Sequence, residues 1–258
     1  MSITRRNYGR GHSYAIDGVK VEGVTTILGK ALAKPALINW AGDTTAAYAV
    51  DYWDELAELS PSKRLTRLQK GRYEDRDAAA RRGTEVHRLA EQAVAGDDVG
   101  DQVPEELRGH VESYIAFLDA FNVQPILVEA IVAHRGLSYC GTTDLVADLG
   151  PERWLLDIKT ARSGIFGETA LQLCAYARAE VYVDGDGAEH NVADLGIARA
   201  GAVHVRADGY DLYPLAVDDD VWLAWRHLLW VTRHAGEDQQ REWVGESLPA
   251  PPVRQAAS

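Results

Sequence analysis

In the stretch WLLDIKTA (154–161), an acid and a base interrupt a run that otherwise reads as a buried strand. Successive strand side chains point to opposite faces, so Asp157 and Lys159 share one face. Charged groups are expensive to bury unless they are paired or bound to something. The two therefore form a structural ion pair, or they face a site that handles a charged species. Other polar residues stand at equally awkward places. Asp144 in GTTDLVADL lies between a glycine and an apolar run, and His87 in GTEVHRLAEQ lies beside Val86, Leu89 and Ala90. Glu129 interrupts ILVEAIV, and Gln172 and Tyr176 are four apart, on one helical face. Each alone has a bland explanation: a turn cap, a half-buried helix histidine, an outward-facing strand acid, core-edge packing. Together, two aspartates from neighbouring strands and an imidazole supply ligands suited to Mg²⁺ or Mn²⁺. Such an ion polarises a phosphoryl oxygen, lowers the pKa of bound water and orients an in-line attack. A lysine on the aspartate's own strand is placed to orient the nucleophile or offset phosphate charge.

The elements that must position these residues are readable from periodicity. Residues 12–28 alternate and break at Asp17-Gly18, a hairpin signal. Pro35 opens an apolar pattern at helical spacing, and Ser60-Pro61-Ser62 begins a second helical stretch that leads, past Gly71 and Gly83, into GTEVHRLAEQAVAG. PEELRGHVESYIAFLDAF (104–121) is a further amphipathic helix. QPILVEAIVAH, LSYCGTTDLVADLG and RWLLDIKTA then read as three β-rich segments. A helix over ETALQLCAYARAEVYV, two strands about Asp208-Gly209 and a last helix over DDDVWLAWRHLLWVTRHAG follow. The order predicts a mixed sheet with helices packed on it, behind a helical amino-terminal layer.

The chain has 258 residues, enough for one elaborated domain or two small ones. No stretch approaches the roughly 20 apolar residues of a membrane span, and no apolar run follows the first basic residues as in a signal peptide. With two cysteines, Cys140 and Cys174, the expected setting is reducing and cytoplasmic, without a disulfide framework or a four-cysteine metal site. Net charge is −12, which argues against a polyanionic partner, yet residues 61–82 hold eight basic side chains against Glu74, Asp75 and Asp77. Within that run Lys63, Arg67 and Lys70 share a helical face and are the candidate phosphate-backbone contacts; a solvated, ion-paired helix is the alternative.

In order, RGTEVH, VEAIV, GTTDLVADL, LLDIKTA and LQLCAYA resemble the PD-(D/E)XK nuclease superfamily over about residues 81–215, and its RecB-like branch of phage exonucleases and CRISPR-adaptation nucleases in particular. VEGVTTILGKALAKPALINWAG is similar to the opening of phage-encoded members. The resemblance implies an α/β (α+β) fold with a restriction-endonuclease-like core of residues 81–235; the hairpin and helical layer over 1–80, with its basic face, is expected to contact DNA, and the Pro/Ala-rich tail over 236–258 is expected to be disordered. The resemblance implies His87, Asp144, Asp157 and the Ile158 carbonyl as metal ligands, with Asp144, Asp157 and Lys159 catalytic. It implies Gln172 and Tyr176 as the Q-x-x-x-Y pair that contacts the substrate strand or braces the site, and it leaves the role of Glu129 open. Thr143-Asp144 stands at the family's P-D position, so the carboxylate is kept. The four cysteines that hold an iron–sulfur cluster in many relatives are missing, so the expected cofactor is Mg²⁺ or Mn²⁺ alone. The function implied is a metal-dependent DNA exonuclease of phage type, acting in the host cytoplasm in replication, recombination or repair, with a partner protein or a homo-oligomer as possible company.

Other chemistries find less support. Gly23 and Gly29 are one residue too far apart for a phosphate loop, and Ala31 stands where a Ser or Thr is required. His227 and His234 read as helix-surface residues, and a small-molecule metallohydrolase has no motif of its own here. The remaining rival is a non-catalytic nucleic-acid-binding or assembly protein that keeps the fold. The presence of Asp144, Asp157 and Lys159 together weighs against it.

Overall fold

A computed structural model describes residues 2–8, 11–32, 35–71, 83, 85–89, 92, 94, 103–161 and 164–248, with the backbone alone for 35–41, 44, 71, 237 and 238. Its strands are β1 (Ile3–Tyr8), β2 (Gly11–Ile16), β3 (Val19–Gly23), β4 (Gln124–Val128), β5 (Ile131–His134), β6 (Tyr139–Thr142), β7 (Leu145–Leu149), β8 (Glu152–Lys159), β9 (Val181–Val183), β10 (Glu189–Asn191), β11 (Arg199–Arg206) and β12 (Gly209–Leu215). The helices are α1 (Val24–Ala31), α2 (Pro35–Asp51), α3 (Trp53–Ala57), α4 (Pro61–Gly71), α5 (described over 85–89), α6 (Arg108–Ala120), α7 (Glu168–Ala177), α8 (Asp219–His234) and α9 (Glu237–Glu242). The chain is a mixed α/β fold, but with two sheets among the described residues where a single one is expected. One runs β1-β2-β3-β6-β5-β9-β10 and the other β12-β11-β8-β7-β4. Each is mixed, through the parallel pairs β3–β6 and β8–β11.

The five-stranded sheet is covered on both faces. Tyr114 and Phe117 of α6 pack against Leu145, Trp154, Leu156, Ile158, Val203 and Val205. On the other face Leu173 of α7 and Trp225 and Leu229 of α8 pack with Val146, Leu155 and Ala200. This is why Trp154, Leu155 and Leu156 follow one another in β8 without polar alternation. α8 begins where Asp218 accepts a hydrogen bond from the Val221 N–H (3.1 Å), and Arg233 in its last turn donates to the Leu137 and Ser138 carbonyls.

Several expectations are corrected. The alternation of residues 12–28 stops at Gly23, because Val24, Ile27 and Leu28 enter the core as one face of α1. Two of the three β-rich segments each split in two: QPILVEAIVAH into β4 and β5, and LSYCGTTDLVADLG into β6 and β7. The helix expected over 168–183 ends at Ala177, and its last three residues form β9 against β5. A short helix, α9, stands where the tail was expected to be disordered; residues 249–258 lie outside the described residues. The amino-terminal hairpin joins the seven-stranded sheet, since β3 pairs with β6. No described helix is long and apolar enough to cross a membrane.

Candidate active site

The site forms where the chain changes sheets. Between β4 and β5 it leaves the five-stranded sheet at Glu129, and between β6 and β7 it returns at Thr143-Asp144. The two crossings are tied together: the Glu129 N–H donates to the Asp144 carbonyl (3.1 Å) and the Thr143 N–H to the Ala130 carbonyl (2.9 Å). Glu129 has φ of +50°, a left-handed conformation that non-glycine residues adopt only where their surroundings enforce it.

These crossings bring the Glu129 and Asp144 carboxylates beside the His87 imidazole, with one ligand atom of each lying within 4.8 Å of the others. His87 Nδ1 is 3.6 Å from Asp144 Oδ2, which also accepts from the Ile158 N–H at 2.7 Å. Tyr114, Val128, Leu145 and Ile158 form an apolar lining around the three. Burial pushes the Asp144 carboxyl up to about 7, with the Asp157 charge adding to it and the Ile158 N–H and Lys159 opposing it. Burial pulls His87 down, outweighing the nearby Asp157 and Glu129 charges. His87 is therefore neutral at pH 7, the form that ligates. An imidazole and two carboxylates at one point fit a divalent cation with oxygen and nitrogen ligands.

The structure distributes the expected ligands differently. Asp157 is outside this group among the described residues, and Glu129, with no assigned role in the sequence reading, is in it. Asp157 is close by all the same, its charge being the largest of those acting on both His87 and Asp144. Ile158 faces α6 with Leu156, while Asp157 and Lys159 face α7 with Leu155. Asp157, 2 % exposed, accepts from Lys159 Nζ (2.9 Å) and Gln172 Nε2 (2.8 Å) at Oδ1. Its Oδ2 is 2.7 Å from the same ammonium but outside hydrogen-bond geometry, leaving a buried acceptor without a hydrogen bond.

Gln172 and Tyr176 are buried on the inner face of α7. Gln172 Nε2 also lies 3.4 Å from the Tyr176 hydroxyl. The Tyr176 ring lies against Gly141, where a Cβ would fall 2.2 Å from Cε1. Burial first, then the Tyr14, Asp144 and Asp157 charges, hold the Tyr176 hydroxyl well above its ordinary pKa, so it remains a donor.

Two contributors went unnoticed in the sequence. Arg5 of β1 donates to Thr142 Oγ1 (3.3 Å) and is 3.6 Å from Glu129 Oε2, and the Tyr14 hydroxyl of β2 is 2.8 Å from Thr142 Oγ1. Their signal is the strand alternation of ITRRNY and GHSYAI, but only the β3–β6 pairing reveals what they reach. The basic face is apart from this group. Lys63, Arg67 and Lys70 are exposed on α4, which packs on α2 and α3, and none of them lines the cleft. Arg67 sits 5.6 Å above the Tyr48 ring, and Arg64 donates to the Leu56, Ala57 and Leu59 carbonyls. Arg72, Arg76, Arg81 and Arg82 lie outside the described residues. Cys140 and Cys174 are buried, and burial pushes their thiols up to about 12 and about 11. No protein-family model and no curated protein matches the sequence.

Proposed function

We propose that this chain is a Mg²⁺- or Mn²⁺-dependent deoxyribonuclease of the PD-(D/E)XK type, acting as an exonuclease on DNA ends. The observation that carries this reading is the meeting of His87, Glu129 and Asp144 beside the Asp157–Lys159 pair. His87, Glu129 and Asp144 would hold the cation, with Asp157 at the edge of the group. When bound, the cation supplies charge for the phosphoryl oxygens and a more acidic water. The protein's own contribution is placement. Gln172 fixes Asp157, and Asp157 fixes Lys159, whose side chain is one-third exposed and ends in an ammonium with three donors. The exposed Lys63 and Lys70, with Arg67, offer positive charge to the DNA backbone.

The closed Asp157–Lys159 pair also favours a second reading, a nucleic-acid-binding protein that keeps the fold without cleaving. End-labelled linear and covalently closed DNA, incubated with Mg²⁺, Mn²⁺ or EDTA, separates the two. Linear DNA is expected to be degraded only with metal, and closed circles to survive. Cleavage of circles would overturn the exonuclease assignment, and no cleavage in any metal would leave the binding protein.

Metal binding is expected to compete with the Asp144 proton. The folded carboxyl keeps that proton to about pH 7, whereas an unfolded aspartate releases it near about pH 4. This site therefore costs the metal-free protein stability as pH rises between those values. A bound cation displaces the proton, so the rise in Tm given by Mn²⁺ should grow between about pH 5.5 and 7.5 and then level off. Equal Tm gains at both pH values would remove Asp144 from the ligand set.

A further inference from the structure

We infer that His204, on the strand beside β8, is a positioning residue that sets the course of the chain leaving Lys159; this rests on the reading of Lys159 as a working residue. His204 is 6 % exposed and lies opposite Lys159 in the parallel β8–β11 register, two pairs beyond Ala202 and Asp157 and so on the same face. Both ring nitrogens are committed. Nε2 is 2.9 Å from the Ala161 carbonyl, which can only accept, so Nε2 carries the proton. Nδ1 is 3.3 Å from Arg206 Nη1, which can only donate, so Nδ1 accepts. The ring is thus neutral, in one tautomer, with no nitrogen left for proton transfer.

Arg206 is itself held by Asp211 Oδ2 of β12 at 2.5 Å. A chain of hydrogen bonds, Asp211 to Arg206 to His204 to Ala161, therefore crosses from the sheet edge to the segment after β8. The location matters because β8 ends at Lys159 while β11 continues to Arg206. Where the backbone ladder stops, the His204 side chain continues the hold on the departing strand. The Ala161 carbonyl also accepts from the Gly164 N–H (3.2 Å), so one oxygen anchors the turn towards α7. Thr160, between Lys159 and this anchor, backs onto Gly83, where a Cβ would come 3.4 Å from its Oγ1. Slack at Ala161 would reach both Lys159 and the approach to the His87 helix.

Three variants test this. In His204→Gln the amide N–H reaches the Ala161 carbonyl but the Arg206 contact is lost. In His204→Asn the shorter side chain accepts from Arg206 but falls short of Ala161. His204→Phe loses both. Two readouts apply: hydrogen exchange of the peptide covering residues 160–168, and kcat and KM for cleavage of linear DNA. Gln is expected to keep wild-type exchange and kcat. Asn and Phe should exchange faster there and lose roughly 10–100-fold in kcat with KM unchanged, the scale of a small misplacement of reacting groups. Gln and Asn behaving alike in exchange would overturn the inference, as would faster exchange with kcat intact. If the wild type cleaves nothing, the proposed function fails with it, and the exchange comparison alone decides whether His204 holds the segment.

Discussion

Replacing Lys159 by alanine should cut DNA cleavage roughly 10²–10³-fold, the loss typical of one preorganised electrostatic group. The fold and the metal response of Tm should survive. Lys159 is bonded to a carboxylate that is 3 % exposed, so a purely structural pair would predict a different result: stranding Asp157 would cost about 3–5 kcal/mol. Three features lower that cost here. The Lys159 side chain is one-third exposed, so water screens the pair. Gln172 still donates to Asp157 after the lysine is gone, and Asp144 can take up a proton in response to the lost positive charge. Asp157→Asn supplies the control of opposite sign. The Asp157 charge is one of the causes that raise the Asp144 carboxyl, so its removal should leave the metal-free protein as stable as the wild type, or more so, at about pH 8, while cleavage collapses. Thermal melts and cleavage rates on the two variants decide the matter. Marked destabilisation of both, with activity retained per folded molecule, would return Asp157 and Lys159 to the role of a structural ion pair.

Gly141→Ala should be the most damaging single-methyl change near the site. The added Cβ would fall 2.2 Å from Cε1, 2.9 Å from Cζ and 3.0 Å from Cδ1 of Tyr176. The ring cannot retreat, because Tyr176 is 4 % exposed and α7 is packed between the five-stranded sheet and α8. Overpacking of this kind costs roughly 1–3 kcal/mol, and at this distance the upper end is expected. The damage should extend to chemistry, since Tyr176 neighbours Gln172, which holds Asp157. Denaturant unfolding should show a lower midpoint at unchanged m, and kcat per folded molecule should fall. Adding Tyr176→Leu should recover part of the stability, whereas Tyr176→Phe, which keeps the ring, should recover none. A Gly141→Ala protein within about 0.5 kcal/mol of the wild type would refute this packing account.

Much of the framework behind these predictions was legible in the sequence, because it depends on neighbours only a few residues apart. A period of two places Asp157 and Lys159 on one face of β8, and a spacing of four places Gln172 and Tyr176 on one face of α7. Asp17-Gly18 turns the β2–β3 hairpin with φ of +50° and +79°, and Asp218 begins α8. The grouping of the candidate ligands was not legible, because long-range pairing creates it. VTTIL has the β-branched composition of a strand, yet burying Val24, Ile27 and Leu28 on one face makes it a helix. A glutamate within an apolar alternation gives no local sign of a left-handed φ. Backbone hydrogen bonds between the two crossings, from Glu129 to Asp144 and from Thr143 to Ala130, fasten the chain where Glu129 interrupts the strand. That break sends β4 and β5 into different sheets and carries Glu129 to His87 and Asp144. Residue order names the charged groups, and the pairing of distant strands decides which of them meet.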